Sequence, residues 1–238
     1  MSQSIRPLIA SLTLLLSVTF AASPFFVEGF NGFRADQFPV PQENPPVTPA
    51  GYAFSIWGVI YGWLILGAAW GLLRAGRDGQ WHDMRLPLCL SLGIGTFWLA
   101  VAVQSPVWAS VMIWAMLLSA LAALFVAPVR DRSWAAYPVG LYAGWLSAAS
   151  CVSLGLLAAG YGYLDGRTAA LIFVATAALI GACVQAALGR TPTYGIAVIW
   201  ALIAVVVANW TDARDVAWVA IVGAGIVTLA TLRAMRPV

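Results

Sequence analysis

The fold of this chain is decided within residues 44–70, which read NPPVTPAGYAFSIWGVIYGWLILGAAW. Its first six residues hold three prolines, which can begin a helix but cannot continue one. No charged residue occurs from Tyr52 to Trp70. Phe54, Trp57 and Tyr61 recur at helical spacing and therefore share one face. The stretch predicts a membrane-spanning helix that follows a proline-rich loop and carries aromatic side chains at its entry.

The composition places the rest of the chain in a membrane as well. Hydrophobic residues make up 62% of it, charged residues 9%, and the mean hydropathy is +0.88, which excludes a water-soluble globular domain. The apolar runs are long enough to cross a hydrocarbon core of about 30 Å as helices, and they lack the alternation of barrel strands. We predict an all-α polytopic membrane helix bundle of eight spans, at about residues 5–26, 52–73, 86–103, 107–126, 136–159, 168–188, 194–210 and 216–232.

The first apolar run has two interpretations. Arg6 precedes it and the small residues Ala21, Ala22 and Ser23 follow it, as in a secretory signal peptide. We interpret it as a retained first span. Residues 27–48 then form the longest polar connection in the chain, and long ordered connections are commonly lids or binding loops. We therefore predict a candidate lid at residues 27–48.

The arginines indicate how the bundle is oriented. The chain has 12 arginines and no lysine. With both termini in the cytoplasm, nine arginines fall on the cytoplasmic side and three on the outer side, as the positive-inside rule requires for an even number of spans. The three outer arginines are Arg34, Arg167 and Arg214. We expect an integral protein of a bacterial cytoplasmic membrane, with the 27–48 loop on the outer face.

Several classes of function are disfavoured. No charged side chain lies at the centre of a predicted span, which argues against a proton-coupled or ion-coupled carrier. The only histidine, His82, is predicted in a solvated cytoplasmic turn, so we expect no bis-histidine haem site and no buried catalytic base. Cys89, Cys151 and Cys183 lie far apart in apolar runs and predict neither a disulfide framework nor a metal site. No basic patch is dense enough to bind nucleic acid. We expect that the protein is not an enzyme.

The aromatic side chains are the remaining candidates for a site. An interfacial belt or core packing explains each of them singly. Together they also suit a cavity for a flat apolar molecule such as a tetrapyrrole, a sterol or a polyene. The candidates are Tyr52, Phe54, Trp57, Tyr61, Trp98, Tyr142 and Trp145.

Residues 48–61, TPAGYAFSIWGVIY, resemble the signature that opens the second helix in the TspO/MBR family, the tryptophan-rich sensory or translocator proteins. Weaker similarities to the third and fifth helices follow at Trp98 and at Tyr142 with Trp145. The resemblance covers about residues 1–160, the family's five-helix unit, and leaves residues 161–238 as three additional spans. The chain departs from the family pattern at Val47, Ala50, Gly95 and Ser153.

The resemblance implies a site and a class of ligand. Family members bind porphyrins, and in some cases cholesterol, in a pocket below the first loop. A similar pocket here would be lined by the seven aromatic candidates and would take a small lipophilic ligand. No cofactor is firmly implied, and a porphyrin or other tetrapyrrole would be a ligand. A homodimer, or association with another membrane complex, is left open.

Three functions fit these observations. The first is a binding or sensory protein for a flat lipophilic molecule. The second is a structural or assembly subunit of a membrane complex, for example one that carries pigments. The third is an uncoupled facilitator of a small neutral solute. The absence of charge within the spans is compatible with all three and does not choose among them.

Overall fold

The computed structural model describes residues 5–27 and 32–235, and within these ranges the chain is helical and contains no strand. Three short 3₁₀ segments, Ser23–Phe25, Ala35–Gln37 and Gly51–Ser55, lie in and beside the first loop. The all-α prediction with eight helices is confirmed. The helices are α1 (Ile5–Ala22), α2 (Ile56–Ala75), α3 (Gly79–Ala102), α4 (Pro106–Phe125), α5 (Ala136–Gly160), α6 (Gly166–Leu188), α7 (Thr193–Asn209) and α8 (Arg214–Ala234).

Seven of these helices are long and apolar enough to cross a membrane. The exception is α7, which is apolar but has only 17 residues. At 1.5 Å per residue it reaches about 26 Å, somewhat less than a typical hydrocarbon core. Thr191, with a φ of 56°, and Pro192 stand directly before it and fix where it begins.

The fifth helix lies at the centre of the bundle. It is the most buried of the seven long spans, and it packs against α2, α4, α6 and α7. Glycines let α7 approach closely, because a Cβ atom on Gly144 would meet the carbonyl oxygen of Tyr194. The helices α1 to α4 therefore form one group around α5, and α6 to α8 form a second group. The predicted division at residue 160 falls at the end of α5.

Polar side chains join the odd-numbered helices, which run in the same direction. Thr19 of α1 and Thr96 of α3 are in contact through their hydroxyls at 3.1 Å. The Ser91 hydroxyl of α3 lies 2.9 Å from that of Tyr142 in α5. The Ser147 hydroxyl of α5 lies 2.9 Å from that of Tyr194 in α7. Hydrogen bonds of this kind give apolar helices a fixed register in a lipid environment. The first span is part of this network.

The third helix begins earlier than the sequence predicted. Asp78 caps it by accepting a hydrogen bond from the Trp81 backbone N–H at 3.0 Å, so the charged segment before residue 86 is helical. Arg85 turns inward and donates to the carbonyls of Gly71 at 2.7 Å and Ala75 at 3.1 Å, near the C-terminus of α2. The placement of His82 in a solvated turn was wrong. The residue is 5% exposed, and neither ring nitrogen has a hydrogen-bond partner within the described residues.

The first loop lies across one end of the bundle. Of the predicted lid, residues 28–31 lie outside the described residues. Beyond them, the Gln37 side chain donates to the Ala102 carbonyl at 3.0 Å, and the Val40 backbone N–H donates to the Gly160 carbonyl at 2.9 Å. Phe38 is buried against Gly160. The loop is thereby attached to the ends of α3 and α5.

Candidate functional site

A cavity of about 640 Å³ lies beneath the first loop. It is enclosed mainly by the loop and by α5, α6 and α7, with single contributions from α3 and α4. Asn44, Gly51, Ala208 and Asp212 line it and are also exposed, so the cavity opens at the loop end of the bundle. Residues from both groups of helices therefore form its walls.

The walls combine aromatic rings with small side chains. Three of the seven predicted site residues, Phe54, Trp98 and Trp145, line the cavity. The rings of Phe54 and Trp145 meet edge to face with centroids 5.9 Å apart. The Trp98 indole N–H donates to the Ala109 carbonyl at 2.8 Å, which fixes the plane of that ring. The small lining residues include Ala148, Ala149, Ala177 and Ala201.

The other predicted residues of α2 and α5 lie behind this wall. Phe20, Trp57, Tyr61 and Tyr142 pack as an aromatic cluster between α1, α2 and α5, in which Trp57 and Tyr61 stack with centroids 5.2 Å apart. Gly95 leaves room for the Phe20 ring, since a Cβ there would lie 2.7 Å from it. Trp57, Tyr61 and Tyr142 are not among the residues that line the cavity.

Trp145 joins this cluster to the cavity. Its ring lies edge to face with that of Trp57, with centroids 6.2 Å apart, and Trp145 is also one of the residues that line the cavity. The cluster therefore holds one cavity-lining ring in place without reaching the cavity. Tyr52 lies elsewhere: it is exposed and its ring contacts Trp200 at 5.4 Å.

The seventh helix holds the loop over the cavity through three hydrogen bonds. The Trp200 indole N–H donates to the Ala53 carbonyl at 3.0 Å, the Ala50 backbone N–H to the Ala204 carbonyl at 3.0 Å, and the Asn209 amide to the Pro46 carbonyl at 2.9 Å. None of these α7 residues was predicted. A sequence signal exists for Trp200, which follows Pro192 by the separation that relates Trp57 to Pro49.

Six of the described lining residues have polar side chains: Gln42, Asn44, Thr48, Ser153, Asn209 and Asp212. Ser153, at a position where the chain departs from the family pattern, donates its hydroxyl to the Ser150 carbonyl at 2.8 Å. Val47, at another such position, is buried against Gly155 beside the cavity. Asp212, at the mouth, is the one residue with an ionisable side chain among the described residues that line the cavity. Such a site is equipped to bind an apolar molecule by burial and stacking.

One comparison with known proteins gives a match. The family model described as TSPO-like protein matches residues 8–233. The match includes the second-helix signature at residues 48–61 and continues through α6, α7 and most of α8, beyond the unit of about residues 1–160. Comparisons with curated proteins and with solved structures give no match.

Proposed function

This chain belongs to the TSPO-like protein family and is an integral membrane protein, and on that basis we propose that it binds a flat lipophilic molecule in the cavity beneath its first loop. A tetrapyrrole or a sterol-like molecule has the required shape. The role is binding or sensing, without catalysis. The observation that carries the proposal is the cavity of about 640 Å³ with Phe54, Trp98 and Trp145 in its walls.

The size and the lining of the cavity both support this proposal. Ligand sites commonly measure about 300–1,000 Å³ and are lined by apolar and aromatic side chains with a few polar groups. Aromatic rings add offset or edge contacts to the free energy gained by burying apolar surface. The wall residues are held by their own contacts, so a ligand finds Trp98 and Trp145 already oriented.

We place the protein in a bacterial cytoplasmic membrane with both termini in the cytoplasm. The distribution of arginine supports this orientation, because among the described residues eight arginines lie toward the end of the bundle opposite the first loop and three lie at the loop end. The cavity then opens to the outer side, where its ligand is taken up.

The proposal is tested by titrating the purified protein in non-ionic detergent with protoporphyrin dimethyl ester, a flat and neutral tetrapyrrole, while tryptophan fluorescence is followed. We expect saturable quenching with a Kd in the micromolar range or below. Ala177→Phe places a ring in the cavity and should weaken binding at least tenfold. Ala175→Phe, two residues away on the exposed side of α6, is the matched control and should leave the Kd unchanged.

Two results would contradict the proposal. Quenching that rises linearly without saturation would mean that the porphyrin only partitions into micelles. If quenching is saturable and Ala177→Phe and Ala175→Phe change the Kd equally, the porphyrin binds outside the cavity. In either case a stable partner that copurifies would favour an assembly subunit, and solute flux into liposomes without an ion gradient would favour a facilitator.

A further inference from the structure

Among the described residues, no positively charged side chain lines the cavity. That lining includes no arginine and no histidine, and Asp212 is its single ionisable side chain. Within the described residues Asp212 forms no ion pair, since the three salt bridges there join Arg34 to Asp36, Arg130 to Asp78 and Arg167 to Asp215. Among the described residues, no arginine therefore lies within salt-bridge distance of the carboxylate at the mouth.

The buried side-chain amide of Asn209 also favours a ligand group that donates hydrogen bonds. Asn209 is 3% exposed and lines the cavity one turn before Asp212. Its amide nitrogen donates to the carbonyls of Pro46 and Val205, both at 2.9 Å. Both amide hydrogens are therefore used, and only the carbonyl oxygen of this side chain remains to face a ligand. That oxygen accepts hydrogen bonds and cannot donate one.

The surrounding end of the bundle adds negative charge. Among the described residues it carries five carboxylates and three arginines. Two of those arginines are paired with Asp36 and Asp215, and the third, Arg214, donates to the Trp210 carbonyl at 3.3 Å. None of the three lines the cavity. A ligand that approaches the mouth therefore meets a net negative field.

These observations bear on the ligand that we proposed above, and the inference rests on that proposed function. We infer that the cavity selects flat lipophilic molecules whose polar end is a cation or a neutral hydrogen-bond donor, such as an amine or a hydroxyl, and that it discriminates against carboxylates. A carboxylate buried here would lose its hydration with no cation to replace it, and it would lie beside Asp212. An ammonium or hydroxyl group would instead donate to Asp212 and to the Asn209 carbonyl.

Three porphyrins that share one ring system and differ in their peripheral groups test this selection. Protoporphyrin free acid, its dimethyl ester and its bis(2-aminoethyl)amide share the tetrapyrrole and differ in charge. Each is titrated against the wild-type protein and against Ala177→Phe, which corrects for partition into detergent. We expect the free acid to bind at least tenfold more weakly than the ester, and the amine about two- to fivefold more tightly than the ester, as suits a solvent-exposed charge pair.

Substitutions of Asp212 test whether its carboxylate causes the charge selection. Asp212→Asn should remove the advantage of the amine over the ester, and Asp212→Arg should raise the affinity for the free acid severalfold. Glu43→Gln removes a carboxylate from the same loop end without touching the cavity lining and should leave the order unchanged.

Different experimental results would overturn the inference and the proposed function. If the free acid binds as tightly as the ester, or if Asp212→Asn leaves the order of the three probes intact, the charge selection is overturned while the lipophile site stands. If none of the three probes binds saturably, the proposed function falls and the selection falls with it.

Discussion

The indole nitrogen of Trp200 lies 3.0 Å from the carbonyl oxygen of Ala53 and donates a hydrogen bond to it. The two residues are 147 positions apart, and the bond joins the middle of α7 to the 3₁₀ turn that leads into α2. The rings of Trp200 and Tyr52 also meet edge to face, with centroids 5.4 Å apart. The last third of the chain thus holds the entry of the second helix, and with it the loop above the cavity.

Replacing Trp200 by phenylalanine should loosen this attachment. The ring is largely retained, but the hydrogen bond is lost and the Ala53 carbonyl is left without this donor, so we expect a loss of about 1 kcal/mol in the free energy of unfolding. The measurement is an SDS titration in mixed micelles. Trp218→Phe, at an exposed position on α8, is the control and should change little. Equal stability of the two variants would show that the bond contributes nothing.

Gly144→Ala should be among the most damaging small substitutions in the chain. The added methyl group would meet the Tyr194 carbonyl oxygen and the Ala197 side chain. Relieving these contacts requires α5 and α7 to move apart. We expect about 1–3 kcal/mol of destabilisation, as for overpacked cores. Gly62→Ala, on the exposed side of α2 with no atom within 4 Å of the new Cβ, should be neutral or slightly stabilising. Thermal unfolding in detergent compares the two variants.

Arg85→Leu should destabilise the opposite end of the bundle. The guanidinium is buried, lies over the Trp81 ring at 5.1 Å, and donates to two carbonyls of α2. Its loss removes two charge-assisted hydrogen bonds, so we expect about 2–3 kcal/mol of lost stability. Arg74→Leu removes an exposed arginine from the last turn of α2 and should cost much less. If the two variants unfold at the same SDS fraction, the hydrogen bonds of the buried Arg85 contribute no net stability.

Asp165 should make stability depend on acid pH. Its carboxylate caps α6, and hydrogen bonds from Thr168 lower the pKa of this exposed group below its ordinary value. A lowered folded pKa means that the contribution is complete above the unfolded pKa, near 3.8, and is lost as the pH falls through the folded value. Wild type should therefore lose more stability than Asp165→Asn between pH 5 and pH 3. Parallel losses in the two proteins would contradict this assignment.

Much of the architecture could be predicted because lipid imposes simple rules on sequence. Runs of about 20 apolar residues must be helical, and turns with charge or proline separate them, so eight helices and their order follow. The start of α3 did not follow from those rules. His82 and Arg85 were assigned to a polar turn, whereas Asp78 caps a helix that includes both, and Arg85 is stabilised by carbonyls of α2 that are distant in sequence.

The site was predictable only in part, for a related reason. Helical spacing places Phe54, Trp57 and Tyr61 near one another, but it does not state which neighbour each ring meets. In the structure Phe54 reaches the cavity, while Trp57 and Tyr61 pack against Phe20 of α1. The α7 contribution depends on contacts across more than 140 residues, which no local pattern encodes.

The walls of the cavity are supplied by residues between Gly32 and Asp212, in a chain of 238. Because a chain is synthesised from its N-terminus, Trp145 of α5 is made before α7, whose residues complete the cavity wall. Completion of the site is therefore a late step in biogenesis. A ligand that binds only the finished cavity would act as a folding partner, stabilising the assembled protein in proportion to the logarithm of its concentration. Abundance of the protein would then report on supply of the ligand.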